Sequence, residues 1–253
     1  MWRGLILIQM GLLVGLLVGE KLQAQDVSSA ALEGSLEEAL SHPSPAVRMD
    51  AVKVLCRTPD STGCKAGVLM LGALLSDSDA AVRKEALALL EALGMSAEPA
   101  VQRLEVALHK GLLGVEAIKV LSTIGTPRAI AGIAAAVTYR DPEVRKAAIA
   151  ALGELGNKAQ GEVEVLVRAM QERDMAEPGL EALAKIGSPR ALSAVIEPLR
   201  GTDKGLKLKA IQILGGMGAQ AEAALPALVR ASGDGDADIR RAADEALAAI
   251  RSM

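Results

Sequence analysis

The stretch Asp141-Pro142-Glu143-Val144-Arg145-Lys146-Ala147-Ala148-Ile149-Ala150-Ala151-Leu152-Gly153-Glu154-Leu155-Gly156 decides the fold of this chain. Val144, Ala148, Leu152 and Leu155 recur every three or four residues, which places them in one apolar stripe along a helix. Ala148 is small enough to mark a close crossing with a second helix. Gly156 stands where a helix commonly ends in a left-handed conformation that glycine adopts cheaply.

Working outward, the same register returns at Val47, Val82, Leu113, Val144, Met175, Leu206 and Ile239, an almost constant interval with slightly longer first and last steps. The ninth residue of each segment is Leu: Leu55, Leu90, Leu121, Leu152, Leu183, Leu214 and Leu247. The fifth is Ala51, Ala86, Ala117, Ala148, Gly179, Ala210 or Ala243. The sixth is aliphatic in six segments and becomes Asp244 in the last, the substitution a terminal repeat needs when no further repeat covers it. Five segments end in Gly at the thirteenth place, Gly94, Gly125, Gly156, Gly187 and Gly218.

After two of these glycines, Thr126-Pro127 and Ser188-Pro189 supply a capping hydroxyl and a proline at the first helical position. Each repeat is therefore two antiparallel helices. First helices are expected near 30–41, 64–76, 97–109, 127–139, 158–172, 189–200 and 220–231. One hairpin alone cannot bury its apolar faces, so neighbours must stack into a continuous core. The expected fold is all-α, a right-handed α-solenoid of about seven helical hairpins.

Composition agrees with thin layers of closely crossing helices. Half of the 253 residues are apolar, yet there is no Phe, one Trp (Trp2) and one Tyr (Tyr139). Leu, Ile, Val and Ala must fill the interior, whereas a β-sandwich or barrel would call for more aromatic and β-branched side chains. The net charge is −3, which argues against nucleic acid or an anionic membrane as partner.

Residues 1–24 read as a secretory signal peptide. Arg3 precedes an apolar run from Gly4 to Val18, and Leu22-Gln23-Ala24 ends in a small residue before a polar stretch. The run is about 15 residues, short of the ~20 of a spanning helix. An uncleaved membrane tether is the alternative. The mature repeat domain is then 25–253, periplasmic or secreted. Cys56 and Cys64 suit an oxidising compartment, as a disulfide stapling the first inter-helix connection or as two free thiols.

The segments 141–148 and Ala80-Ala81-Val82-Arg83-Lys84-Glu85-Ala86 resemble the signature of short HEAT-like repeats of the phycobilin-lyase type. That resemblance covers essentially the whole mature chain. It implies a superhelix whose second helices line the concave side. It also implies an Arg after the first Val that pairs with an Asp, here Arg48, Arg83, Arg145 and Arg240, with Lys207 in one repeat. Gly114 and Ala176 take that place in repeats three and five, the two that are followed by Arg128 and Arg190. A superperiod of two repeats follows, in which Arg128 and Arg190 stand in for the missing charges of a structural ladder. Anion binding by the same row is the functional alternative.

Groups suited to catalysis are scarce. His42 and His109 are the only histidines, two repeats apart, and neither has a Glu or His four residues on. The His-Glu pairs of HEAT-like deoxyhypusine hydroxylases, a Gly-rich phosphate loop and a metal-ligand cluster are all missing. The expectation is a non-enzyme without cofactor or metal, monomeric, that binds a protein or peptide along its concave face. An accessory subunit or lyase-like chaperone for cofactor attachment is the alternative. The seventh residue of each second helix faces that side: Lys53, Ala88, Lys119, Ala150, Glu181, Gln212 and Glu245, basic early and acidic late. The competing reading is an ordinary solvated helix face. Lys53, Lys119, Glu181, Gln212 and Glu245 are the candidate contact residues.

Overall fold

The computed structural model describes residues 38, 41–48, 50 and 61–252. Two compact units divide the chain, Met1–Ala51 and Val52–Met253. In the first unit, the ring Nδ1 of His42 accepts the Ser44 N–H at 3.0 Å. The buried Arg48 donates to the carbonyls of His42 and Pro43, at 2.7 and 3.1 Å. Lys53, Leu55 and Cys56 lie outside the described residues, as does the expected first helix at 30–41 apart from Glu38 and Ser41. Of Cys64, only its place in a helix is described.

The second unit is a run of helices without a strand among the described residues. Six hairpins follow one another: α1 (Ser61–Leu74) and α2 (Ala80–Leu93), α3 (Val101–His109) and α4 (Val115–Ile124), α5 (Pro127–Ala136) and α6 (Pro142–Leu155). They continue as α7 (Val163–Ala169) and α8 (Arg173–Ile186), α9 (Pro189–Ile196) and α10 (Lys204–Met217), α11 (Leu225–Ala231) and α12 (Ala237–Arg251). The even-numbered helices are the second helices of repeats two to seven.

The columns of the sequence are the core of this unit. Leu90, Leu121, Leu152, Leu183 and Leu214 are fully buried, and so are Ala86, Ala117, Ala148, Ala210 and Ala243. At the sixth place Leu87, Ile118, Ile149, Leu180 and Ile211 are buried, while Asp244 is exposed. The polar residue thus stands where α12 has no following helix among the described residues. The fifth-place residue at α8 is Gly179, whose missing Cβ would sit 2.5 Å from Met170 Cγ. Its smallness lets the turn after α7 fold onto α8.

The two-repeat superperiod is written into the backbone. Gly125 and Gly187 end α4 and α8 in the left-handed region, at φ 59°, ψ 15° and φ 65°, ψ 4°. Thr126 and Ser188 follow them as N-caps, their hydroxyls accepting the Ala129 and Ala191 N–H groups at 3.4 and 3.2 Å. Gly94, Gly156 and Gly218 instead have φ of 54°, 57° and 55° with ψ of −131°, −132° and −134°. Each of these opens a seven-residue 3₁₀ stretch, Gly94–Ala100, Gly156–Glu162 and Gly218–Ala224, before the first helix becomes α-helical.

First helices after Gly94, Gly156 and Gly218 are thus tighter at their start than the periodicity suggested. Tighter winding uses fewer residues per turn and re-aims the chain onto the next layer. The expected helix over 189–200 likewise divides into α9 and a short 3₁₀ turn, Glu197–Arg200.

The second helices alternate in the same way. Asp79, Asp141 and Asp203, each two repeats from the next, cap α2, α6 and α10 by accepting the N–H of Ala81, Glu143 and Leu206. Gly114 and Glu172 precede α4 and α8 without a side-chain cap. The last helix, α12, departs from the alternation, because Asp236 caps it through the N–H groups of Asp238 and Ile239.

The caps are testable. Ser188→Ala removes an acceptor at a buried helix start, and a loss of about 1 kcal/mol is expected. An unchanged midpoint in urea unfolding would show that the Ala191 N–H finds another partner.

The terminal helix is also tied down by charge. Lys204 on α10 bonds Asp236 at 2.7 Å and Asp238 at 2.8 Å, and Lys207 bonds Asp234 at 2.9 Å. The Asp236 N–H, then Lys207, hold the Asp234 carboxyl below its ordinary value. Lys204, then the N–H groups of Asp238 and Ile239, do the same for Asp236, and the two aspartates raise Lys204 in turn. A carboxyl depressed in the fold stabilises it above the ordinary carboxylate range, and that contribution is lost as pH falls from the ordinary value through the depressed one. Thermal melts should therefore show a loss beginning below about pH 4. The double variant Asp234→Asn, Asp236→Asn should flatten that part of the profile. Loss of the Lys204 contribution belongs to strongly alkaline pH.

Candidate functional site: the face of the second helices

Successive second helices form one surface, and its closest crossings are set by glycine. A Cβ on Gly153 of α6 would lie 2.9 Å from Ala182 Cα of α8. A Cβ on Gly215 of α10 would lie 3.1 Å from Ala246 Cβ and 3.2 Å from its Cα on α12. These two glycines are again two repeats apart, and α6–α8 and α10–α12 are the most extensively packed helix pairs. The surface therefore has tight pairs of helices, with α8 and α10 meeting less closely between them.

Charged side chains bridge the crossings. Lys119 on α4 meets Glu91 on α2 at 2.8 Å, Lys209 on α10 meets Glu181 on α8 at 2.6 Å, and Lys185 on α8 pairs with Glu154 on α6. Two candidate contact residues, Lys119 and Glu181, are thus each engaged with the neighbouring repeat. The Lys119 side chain stays mostly exposed, so this pair is held weakly in solvent. Glu181, then burial acting in the opposite sense, sets Lys209, whose net shift is upward.

The other two described candidates, Gln212 and Glu245, come together. They line a groove of about 750 Å³ over α10 and α12 that reaches Glu177 on α8. Its floor is shallow because Gly205, Gly215, Ala242 and Ala246 carry little or no side chain, and Leu208 adds an apolar patch. Glu177, Lys209 and Arg241 also line it, and the sequence pattern did not single them out. Each sits three or four positions before a member of the seventh-place row, Glu181, Gln212 and Glu245. Extending the row one helical turn toward the N-terminus would have found all three.

The arginine row occupies a different level. Arg83 donates to the carbonyls of Asp77 and Ser78 at 2.7 and 3.2 Å, and Arg240 to those of Asp234 and Gly235 at 2.8 and 2.9 Å. Arg48 has the same relation to residues five and six positions earlier. In each case a guanidinium satisfies carbonyls in the turn before the helix that bears it, groups that have no partner within a helix. Arg145 reaches Val137 O at 3.1 Å and also pairs with Glu172 of the next repeat, as Lys207 pairs with Asp234.

Arg128 and Arg190 begin α5 and α9 and point back along the first helices. Arg128 bonds Gln102 of α3 at 3.3 Å, and Arg190 bonds Glu164 of α7 at 2.7 Å. Gln102 and Glu164 are themselves two repeats apart. The two arginines and the turn-capping residues therefore bond to different elements.

His109 lies on a first helix rather than on this face. His109 ends α3 and packs edge-on against Tyr139, with ring centroids 5.5 Å apart at 74°. Burial, then the charge of Glu105, raises the Tyr139 hydroxyl. No group of three or more His, Cys, Asp or Glu among the described residues is arranged to hold a metal ion. No described helix is long and apolar enough to cross a membrane.

Antiparallel hairpins stacked through one apolar core, with second helices sharing a face, define a helical-repeat scaffold. A family model for HEAT repeats matches residues 32–112 and 113–177, more than half of the chain. The chain belongs to the HEAT-repeat family. No curated protein matches it. Among solved structures, it is similar to an engineered protein at 23% identity over 86% of this chain and 68% of the other, with a TM-score of 0.42. It is similar to human deoxyhypusine hydroxylase in complex with glycerol at 16% identity, covering 89% and 99% of the two chains, with a TM-score of 0.40. A designed armadillo repeat protein is similar at 18% identity over 85% and 98%, with a TM-score of 0.37.

Proposed function

We propose that this chain is an exported, non-catalytic scaffold that binds an extended peptide segment of a partner protein along the face of its second helices. The observation that carries this reading is the groove over α10 and α12, where Gln212 and Glu245 stand beside a floor of glycine and alanine. Where glycine and alanine line the groove a peptide backbone can approach closely, and the polar residues beside them supply hydrogen-bond partners for it. Export rests on Arg3, the apolar run from Gly4 to Val18 and the small residue Ala24.

Selection of random displayed dodecapeptides against the full chain tests the binding reading. The enriched peptides should lose affinity for Gln212→Trp, which fills the groove from an exposed position. Equal binding to the variant would place the peptide site elsewhere. Fractionation of the producing cell with mass measurement of the product tests export. A chain beginning at Gln25 outside the cytoplasm is the expected result, and an intact Met1 species in the cytoplasm would overturn it.

A further inference from the structure

We infer that the segment bound in the groove is cationic, an extended peptide presenting two Lys or Arg side chains to Glu177 and Glu245. This inference rests on the binding reading above and specifies its partner.

The charges of the groove are unequally used. Lys209 is tied to Glu181 at 2.6 Å, and Arg241 to Asp238 at 3.4 Å. Glu177 adds to the field at Lys209 without bonding to it. Glu177 and Glu245 have no hydrogen bond or ion pair among the described residues, and both are exposed. The two basic residues of the lining thus each have a carboxylate partner, while Glu177 on α8 and Glu245 on α12 have none among the described residues. Asp244 stands exposed next to Glu245 and adds to the negative field there. A complementary partner brings positive charge to those two ends and small residues to the floor between them.

The spacing follows from the helices. Glu177 lies on α8 and Glu245 on α12, two helix layers apart, which is roughly 18–20 Å at ordinary interaxial distances. An extended chain advances about 3.3 Å per residue. The two cationic side chains are therefore placed roughly five to six residues apart.

Fluorescence anisotropy with the full chain tests the inference. The probe is a labelled dodecapeptide of Ala, Ser and Gly carrying two lysines six residues apart. Companion probes replace both lysines with Gln or with Glu, or bring them two residues apart. The spaced-lysine peptide is expected to bind about tenfold more tightly than the Gln peptide. Glu177→Gln and Glu245→Gln should each weaken it several-fold, and the double variant should erase its advantage.

Glu98→Gln and Glu222→Gln make the same charge change at exposed positions in the 3₁₀ stretches before α3 and α11. They should leave the affinity unchanged, which separates the groove from general attraction to an acidic chain. Gln or Glu peptides that bind as tightly as the lysine peptide, and still lose affinity for Gln212→Trp, would overturn the cationic partner while leaving the groove as the site. Peptides of every charge that ignore Gln212→Trp would overturn the groove itself. Lysine-peptide binding that responds equally to Glu98→Gln, or that is not detected, would also overturn the inference.

Discussion

Leu152→Ala is expected to lower the unfolding free energy by about 3 kcal/mol, within the range of roughly 2–5 kcal/mol for truncating a buried leucine. Leu152 has no exposed surface and lies on α6, which packs against α4 on one side and α8 on the other. Helices on both sides are fixed by their own contacts, so the cavity left behind closes only in part. A repeat array is stabilised by each unit and by its contacts with the next, and a weak interior unit uncouples the two flanks. Chemical denaturation followed by circular dichroism should therefore show an earlier and broader transition. The same truncation at Leu247 should cost less, because among the described residues α12 is packed by repeats on one side only. An equal loss at both positions would contradict a linear array.

The second large effect concerns Gly153. Gly153→Val is expected to cost about 2–3 kcal/mol, because its Cβ would meet the backbone of α8 at Ala182 and neither helix can move without separating a packed pair. Gly132 makes the comparison sharp. A Cβ there would sit 2.7 Å from Glu105 Oε1, the free end of a flexible side chain that can rotate aside. Replacing glycine by alanine within a helix gains about 1 kcal/mol in propensity. Gly132→Ala should therefore be neutral or stabilising by up to about 1 kcal/mol in the same denaturation assay. The two glycines look alike in the sequence, and the difference lies in what faces them: main chain in one case, a mobile carboxylate in the other.

The superperiod explains why these positions recur. Asp79, Asp141 and Asp203 cap alternate second helices, Gly94, Gly156 and Gly218 open the 3₁₀ entries, and Thr126 and Ser188 cap the first helices between them. Each set is spaced by two repeats. Gly153 and Gly215, at the tight crossings, follow the same spacing. The structural unit is therefore a pair of hairpins with two kinds of connection. The final hairpin breaks the pattern with Asp236 and Arg240, so that α12 has both an N-cap and a guanidinium on its preceding turn.

Much of this was legible along the chain. The unbroken Leu column, the small fifth residue and the terminal glycines specified helical hairpins in register, because burial in a helix repeats every three or four residues whatever lies opposite. Asp244 broke the aliphatic sixth column, and it is exposed on α12. The two-repeat spacing was visible in Arg128 and Arg190, although the bonds these residues make run to Gln102 and Glu164 on the first helices. The candidate face was named at Lys119, Glu181, Gln212 and Glu245. Only the tertiary structure showed that Lys119 and Glu181 are joined to neighbouring repeats, while Gln212 and Glu245 share a groove with Glu177, Lys209 and Arg241. One-dimensional spacing tells which side of a helix a residue faces. Which side chain stands across from it depends on crossing distance and axial offset between helices, and these are set by the packing of Gly153 on Ala182 and of Gly215 on Ala246.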